Sequence, residues 1–225
     1  MVNDLQSQTR TGRTQAPTES RKEAKRERMV DAAMRAFAEH GYQGARVEDI
    51  AAELSIAKGS FFQYFGSKEG LFLAAYKRAV ESLPDWLMAP PDVQESGFFS
   101  ILRYWMSQTE HLLREDWVPN RVALIGNYGT DLSMKREINR FLATDPYGTG
   151  AFVDFGLGRG ELRNDIEREM IVSMLNWLSD RFLDALLTEE LDPGLFPAQE
   201  DTTAKREARI AQFEELVRSA IGART

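Results

Sequence analysis

An all-α fold is predicted by three observations. Apolar residues recur at helical spacing along most of the chain, and no segment alternates apolar and polar residues as a half-buried strand does. No internal repeat is present. The stretch Val47 to Lys68, VEDIAAELSIAKGSFFQYFGSK, reads as two short helices joined by a tight break and followed by the capped start of a third. Such a unit can lay its second helix into the major groove of DNA.

With 225 residues the length prior is one or two domains, and 43% hydrophobic content is enough for a packed core. No run approaches the roughly 18 to 20 apolar residues of a membrane span. The stretch MVNDLQSQTRTGRTQAPTESRKEAKRER has no apolar secretory segment, so a cytoplasmic location is expected. There is no cysteine, which excludes disulfides and thiolate metal sites. His40 and His111 are the only histidines, so neither a multi-histidine metal centre nor a cofactor is expected. No paired-carboxylate motif suggests an enzyme.

The net charge of −7 is unevenly spread. Residues 1–70 carry 11 basic and 10 acidic side chains, which leaves 17 and 25 for the remainder. Between Arg10 and Arg28 seven are basic and three acidic. Cationic groups therefore gather beside the two-helix unit, and an acidic body follows. A solvated tail accounts for residues 1–20 equally well.

Residues 1–20 are polar and too poor in large apolar groups to offset chain entropy, so disorder is expected there. A helix is expected from Arg21 to His40, with Met29, Ala33, Ala36, Phe37 and His40 on one face and Gly41 ending it. His40 reads as a last-turn side chain near the helix dipole. Val47, Ile50, Ala51 and Leu54 form the buried face of the next helix, and Leu54-Ser55-Ile56 is the break. In the helix Ala57 to Phe65, Phe61 and Phe65 face inward and turn Ser60, Gln63 and Tyr64 outward. Gly66 ends it, and Ser67 caps a fourth helix carrying Leu71, Ala74, Ala75 and Val80. Pro84 and Pro90-Pro91 close this first unit.

Beyond the prolines a helix is expected over about Val93 to Arg114, then a segment broken by Pro119, Gly126 and Gly129. Asp131 should cap a helix through Phe141, and Asp145-Pro146 should open another. Gly156 to Gly160 lacks the strand, the βαβ context and the Lys-Ser/Thr of a nucleotide loop, and reads as close packing or a kink. Long helices are expected over about 165–190 and 203–221.

The run GYQGARVEDIAAELSIAKGSFFQYFGSKEGLF resembles the N-terminal signature of TetR/AcrR-type transcriptional regulators. The likeness covers about residues 23–83, with several independent positions in register. It weakens afterwards, although Gly160 to Asp165 before a long helix is similar to the dimerisation end of that family. The resemblance implies an N-terminal helix-turn-helix DNA-binding domain at 21–83, with its motif at about 46–65. It also implies a larger helical-bundle domain at 84–225 for ligand binding and dimerisation.

Chemistry assigns roles within that frame. Lys58 and Lys68 suit phosphates, and Lys68 stands at a helix start whose amides also favour an anion. Gly59 permits close approach to the backbone of DNA. Ser60 and Tyr64 offer hydroxyls, and Gln63 is the amide suited to a base edge. Three positions depart from the family pattern. Phe62 stands where Tyr is usual, Ser55 where Gly is common, and Arg46 where a Ser or Thr cap is usual. Arg46 gains a phosphate contact in place of the cap. Arg21, Lys22, Lys25 and Arg26 extend the cationic surface as a candidate arm.

In the resembled family the body binds a small molecule, and occupancy changes the spacing of two DNA-reading heads. A largely apolar pocket is therefore expected here, drawn from Trp105, Met106, Trp117, Tyr128, Phe152 and Phe155, with Asn127, Tyr128, Arg103 or Asn176 as polar anchors. Core packing explains most large side chains of the body equally well. The expected protein is a homodimer paired through its last two long helices, a repressor released from its operator by a hydrophobic effector. The alternative is a helical ligand-binding or partner-binding module that no longer binds DNA.

Overall fold

The computed structural model describes residues 16–82, 88–115, 117–187 and 203–224, without the side chains of 16–19, 109–115 and 187. Pro84 and the His111 side chain lie outside that set. The described residues form helices and no strand; one isolated bridge joins Leu162 and Gly222. None of these helices is long and apolar enough to cross a membrane. The chain divides into two compact units between Ala75 and Tyr76. The expected boundary at 83 and 84 falls among residues that are not described.

The first unit, the head, holds α1 (Ala16–Gly44), α2 (Val47–Glu53), α3 (Lys58–Phe65) and the start of α4 (Lys68–Glu81). α1 begins at Ala16, before the expected Arg21, so residues 16–20 are helical where disorder was expected. Pro17 lies in the first turn, where a missing N–H costs nothing. Gly41, at φ 69°, kinks α1 after His40, and His40 is exposed where an inward position was expected. Met29, Ala33, Phe37, Ile50, Phe61, Leu71 and Phe72 are buried, each large side chain contributing about 1.5–3 kcal/mol. Phe37 and Phe72 meet edge to face at 5.0 Å, and Tyr42 closes on Phe72 at 5.1 Å.

The break between α2 and α3 is a Schellman turn. Ile56 N–H donates to Ala51 C=O at 2.9 Å and Ser55 N–H to Ala52 C=O at 3.0 Å. Ser55 takes the left-handed position at φ 54°, about 1 kcal/mol less favourable than for Gly. As expected, Ser67 caps α4 by accepting from Gly70 N–H at 3.1 Å.

The second unit, the body, continues through α5 (Pro91–Glu95), α6 (Phe98–Glu115), α7 (Trp117–Tyr128), α8 (Leu132–Leu142), α9 (Thr149–Gly158), α10 (Arg168–Leu187) and α11 (Thr203–Ile221). Three expectations are corrected here. The helix predicted from Val93 is two helices, because Gly97 at φ 100° ends α5 and the Glu161 carboxylate accepts from Phe98 N–H at 2.7 Å to start α6. Pro119 does not interrupt α7, since it sits in the first turn, and Gly126 lies inside the helix because the Tyr76 ring fills the space of a side chain. Asp145-Pro146 does not open α9. Asp145 stands at φ 58° and its carboxylate accepts from Gly150 N–H at 2.9 Å, so α9 starts at Thr149.

Asp131 caps α8 as expected, accepting from Ser133 and Met134 N–H at 2.9 Å. Gly156 packs inside α9 against Phe98 and Leu162. The body core joins Phe98, Leu102, Met106, Phe152, Leu175, Phe213 and Val217, with Phe98 stacked on Phe152 at 4.0 Å.

Candidate functional site

The surface of the head follows from how its helices end. Arg46 precedes α2 with extended backbone (φ −116°, ψ 128°), and its guanidinium caps nothing. Lys58 is the first residue of α3, and its ammonium pairs with the Glu48 carboxylate at 2.5 Å while lying 5.6 Å from the Phe62 ring centre. That hydrogen bond, above all, holds the Glu48 carboxyl below its usual range. Lys68 opens α4 and donates to the Gln43 carbonyl at 3.2 Å, with its ammonium 5.0 Å from the Tyr42 ring centre. Arg46, Lys58, Phe62 and Lys68 line one depression of about 260 Å³, together with Gln43, Ala45, Val47 and Glu48. Three of the predicted phosphate-directed cations thus surround one hollow, sited at two helix starts.

α3 presents the remaining predicted residues. Phe61 is buried and Phe65 half-buried, so the opposite side faces out. Gln63 is exposed and makes no side-chain hydrogen bond among the described residues. Phe62 is 43% exposed, which is unusual for a phenylalanine with a core within reach. Ser60 and Tyr64 are half-buried, and the Lys25 ammonium lies 5.8 Å from the Tyr64 ring centre. A Cβ on Gly59 would meet nothing within 4 Å, so the backbone at the start of α3 is open to a close neighbour. Lys25 belongs to the cationic stretch of α1, so part of the candidate arm reaches α3.

The candidate pocket residues of the body separate. Trp105, Met106 and Phe152 are buried in its core and Phe155 packs against it, whereas Trp117 and Tyr128 are about half exposed. Tyr128 instead donates its hydroxyl to the Asp184 carboxylate at 2.7 Å. Asn127, beside it, accepts from the buried Tyr76 hydroxyl at 3.2 Å, and Asn176 accepts from Thr149 at 2.8 Å. Asn127, Tyr128 and Asn176, expected as anchors, thus all sit in a polar layer between helices. Sequence reasoning passed over Tyr76, Tyr147, Asp180 and Asp184, which bear on one another electrostatically in this layer.

Two short helices, α2 and α3, joined by a tight turn, with Arg46, Lys58 and Lys68 around one hollow, have the form of a helix-turn-helix unit. Residues 29–75 match the model of the family "Bacterial regulatory proteins, tetR family". The HTH-type transcriptional repressor AcnR of Corynebacterium glutamicum is 28% identical over 193 residues, covering 80% of this chain and 88% of the relative. The HTH-type transcriptional repressor DhaR of a Mycobacterium species is 22% identical over 205 residues, covering 85% and 95%. Among solved structures, the transcriptional regulator FadR from Bacillus subtilis, in complex with stearoyl-CoA, superposes with a TM-score of 0.65 at 20% identity. That likeness covers 87% of this chain and 98% of FadR. The chain is thus similar to TetR-type transcriptional regulators, through the family model over residues 29–75 and through these relatives over most of its length.

Proposed function

We propose that the chain is a ligand-released repressor that binds operator DNA as a homodimer. The observation that carries this reading is the ring of Arg46, Lys58 and Lys68 around the hollow at the foot of α3, beside outward Gln63. The three cations grip phosphates and set register, and Gln63, Tyr64 and Ser60 read base edges. Phe62 replaces a hydroxyl contact with an apolar one suited to a thymine methyl. Gly59 admits the DNA backbone. The head works as residues 21–83 and the body as 84–225. Binding exchanges the Glu48 partner of Lys58 for a phosphate, and the counterions released make affinity salt-dependent.

Two such heads reach successive major grooves when their spacing is about 34–36 Å. Large apolar side chains are exposed on the last two long helices, Met170, Trp177 and Leu178 on α10 and Leu216 on α11, and they support pairing of two copies through these helices. The repressor assignment is supported by the relatives named as repressors. A small, largely apolar effector in the body is supported by the stearoyl-CoA complex of the FadR neighbour. The effector lowers operator affinity by its differential binding to the two states of the dimer. α4 is one helix that begins in the head and ends in the body, which gives such a signal a continuous route.

The test is a mobility-shift assay on the DNA upstream of the protein's own gene. Wild type gives a specific complex that survives excess unrelated duplex. The combined Gln63→Ala, Tyr64→Ala and Lys68→Ala variant loses it, each base-edge contact being worth about 1–3 kcal/mol. Retention of the complex by the triple variant removes α3 as the reading helix. Absence of any complex with wild type favours the module that no longer binds DNA.

A further inference from the structure

The hollow at the foot of α3 is not purely cationic. Of the described residues that line it, Arg46, Lys58 and Lys68 are basic and Glu48 alone is acidic. A surface that only gathered phosphates would gain nothing from a carboxylate, because like charge repels them. Two simpler accounts of Glu48 fall short. It stands in the first turn of α2, where negative charge favours a helix. Asp49 stands in the same turn, is exposed and lies outside the hollow, so α2 has such a charge without Glu48. Nor is the pair with Lys58 a strong tie within the fold, since the two side chains are 48% and 49% exposed and water screens them.

What the carboxylate does fix is the position of one ammonium. Lys58 Nζ meets Glu48 Oε1 at 2.5 Å and lies 5.6 Å from the Phe62 ring centre. Lys68, on the same hollow, donates to the Gln43 carbonyl at 3.2 Å, a neutral partner that phosphate replaces without stranding a charge. Lys58 is different. A phosphate oxygen that takes its ammonium displaces an oxygen of its own sign and leaves an unpaired carboxylate beside it. That carboxylate belongs to the same chain, ten residues away, so it is always at hand to return. The hydrogen bond from Lys58 also holds the Glu48 carboxyl below its usual range, which keeps it ionised and competing at neutral pH.

We propose that Glu48 sets the affinity of the head for DNA by competing with phosphate for Lys58. This rests on the reading that the hollow receives phosphates of operator DNA, and adds the residue that limits the grip. With its competitor in place the head holds DNA less tightly than its three cations allow. Removing the competitor tightens operator and unrelated duplex alike, because both present the same phosphates.

The experiment is fluorescence anisotropy of the full-length protein at fixed salt, with a labelled duplex from upstream of its own gene and an unrelated duplex of equal length. Glu48→Gln keeps the shape of the side chain and removes its charge. It is expected to tighten both duplexes by about threefold or more, the scale of an exposed ion pair. Asp49→Asn makes the same charge change in the same helix turn and is expected to leave both affinities nearly unchanged. In a Lys58→Gln background the gain from Glu48→Gln is expected to shrink to less than half, as a double-mutant cycle requires of coupled partners. Thermal melts confirm that each variant folds. Unchanged or weaker binding by Glu48→Gln overturns the proposal. So does an equal gain from Asp49→Asn, or a gain that Lys58→Gln leaves undiminished. In each of these cases a wild-type complex with DNA leaves the DNA-binding reading standing, whereas no complex of wild type with either duplex removes both.

Discussion

Lys58 in the head and Asp180 in the body are both charged side chains on helices, and their surroundings differ in kind. Lys58 is about half exposed, pairs with Glu48 across solvent, and gives up that partner at little cost, since exposed ion pairs are worth about 0–1 kcal/mol. The Asp180 carboxyl is pushed up to about 7, by desolvation first and then by the Asp184 charge one turn away. On the proposed reading the head keeps its cations hydrated and ready to meet phosphate, and salt governs them. The body holds this carboxylate where ionisation is unfavourable, so proton uptake governs it. One chain thus carries cations tuned by ionic strength and a carboxylate tuned by protonation.

The strongest way to break the comparison is to disturb the packing of the body around Tyr76. A Cβ on Gly126 would stand 2.4 Å from two carbons of the fully buried Tyr76 ring, which has no room to retreat. Gly126→Ala is expected to destabilise the protein by about 1–3 kcal/mol through overpacking, outweighing the better helix propensity of Ala. Thermal or urea unfolding measures it. An unchanged or raised melting temperature shows that the polar layer of the body is loosely packed.

A subtler test is the pH dependence of stability. The Asp180 carboxyl is at about 7 in the folded chain against an ordinary 3.8, so between those values the folded state holds a proton that the unfolded state has lost. Stability from this group therefore falls as pH rises from about 4 to about 7 and levels off above. Asp165 runs the other way. Its two hydrogen bonds from Arg163, each 2.8 Å, hold it at about 2, so its contribution is present above pH 4 and lost as pH falls toward 2. Unfolding of wild type and Asp180→Asn across pH 4.5–7.5 isolates the first effect. The variant is expected to flatten the descending slope, and parallel curves for the two proteins contradict a raised Asp180 carboxyl.

The two units also differ in how much their sequence discloses. The head was legible because its determinants are local. The helix ends at Gly41, Ser55 and Gly66, the Ser67 cap, and the pairing of buried Phe61 with outward Gln63 all fall within 27 residues, and each follows from spacing alone. The fold of the body was legible as helices, with Asp131 and the bounds of α11 in place. Its joints were not. Pro119 and Gly126 look like breakers until the first turn of α7 and the Tyr76 ring are seen to accommodate them. Gly97 and Asp145 act through Phe98, Glu161 and Gly150, and in the first case the partner is 63 residues from Phe98. The polar layer is harder still. Tyr128 meets Asp184 across 56 residues and Tyr76 meets Asn127 across 51, and no spacing rule connects residues so far apart. Trp105, Met106 and Phe152 drew attention as large apolar side chains, and they are core.

The central claim is that the cationic rim of α3 holds operator DNA, and the salt dependence of binding tests it most directly. Fluorescence anisotropy of a labelled duplex from upstream of the gene, titrated between about 50 and 200 mM salt, gives the slope of log K against log salt. A steep negative slope is predicted for wild type. The combined Arg46→Ala, Lys58→Ala and Lys68→Ala variant is predicted to flatten it by about 0.9 for every phosphate left without its cation. A wild-type slope near zero, or a slope that the triple variant leaves unchanged, would contradict the account.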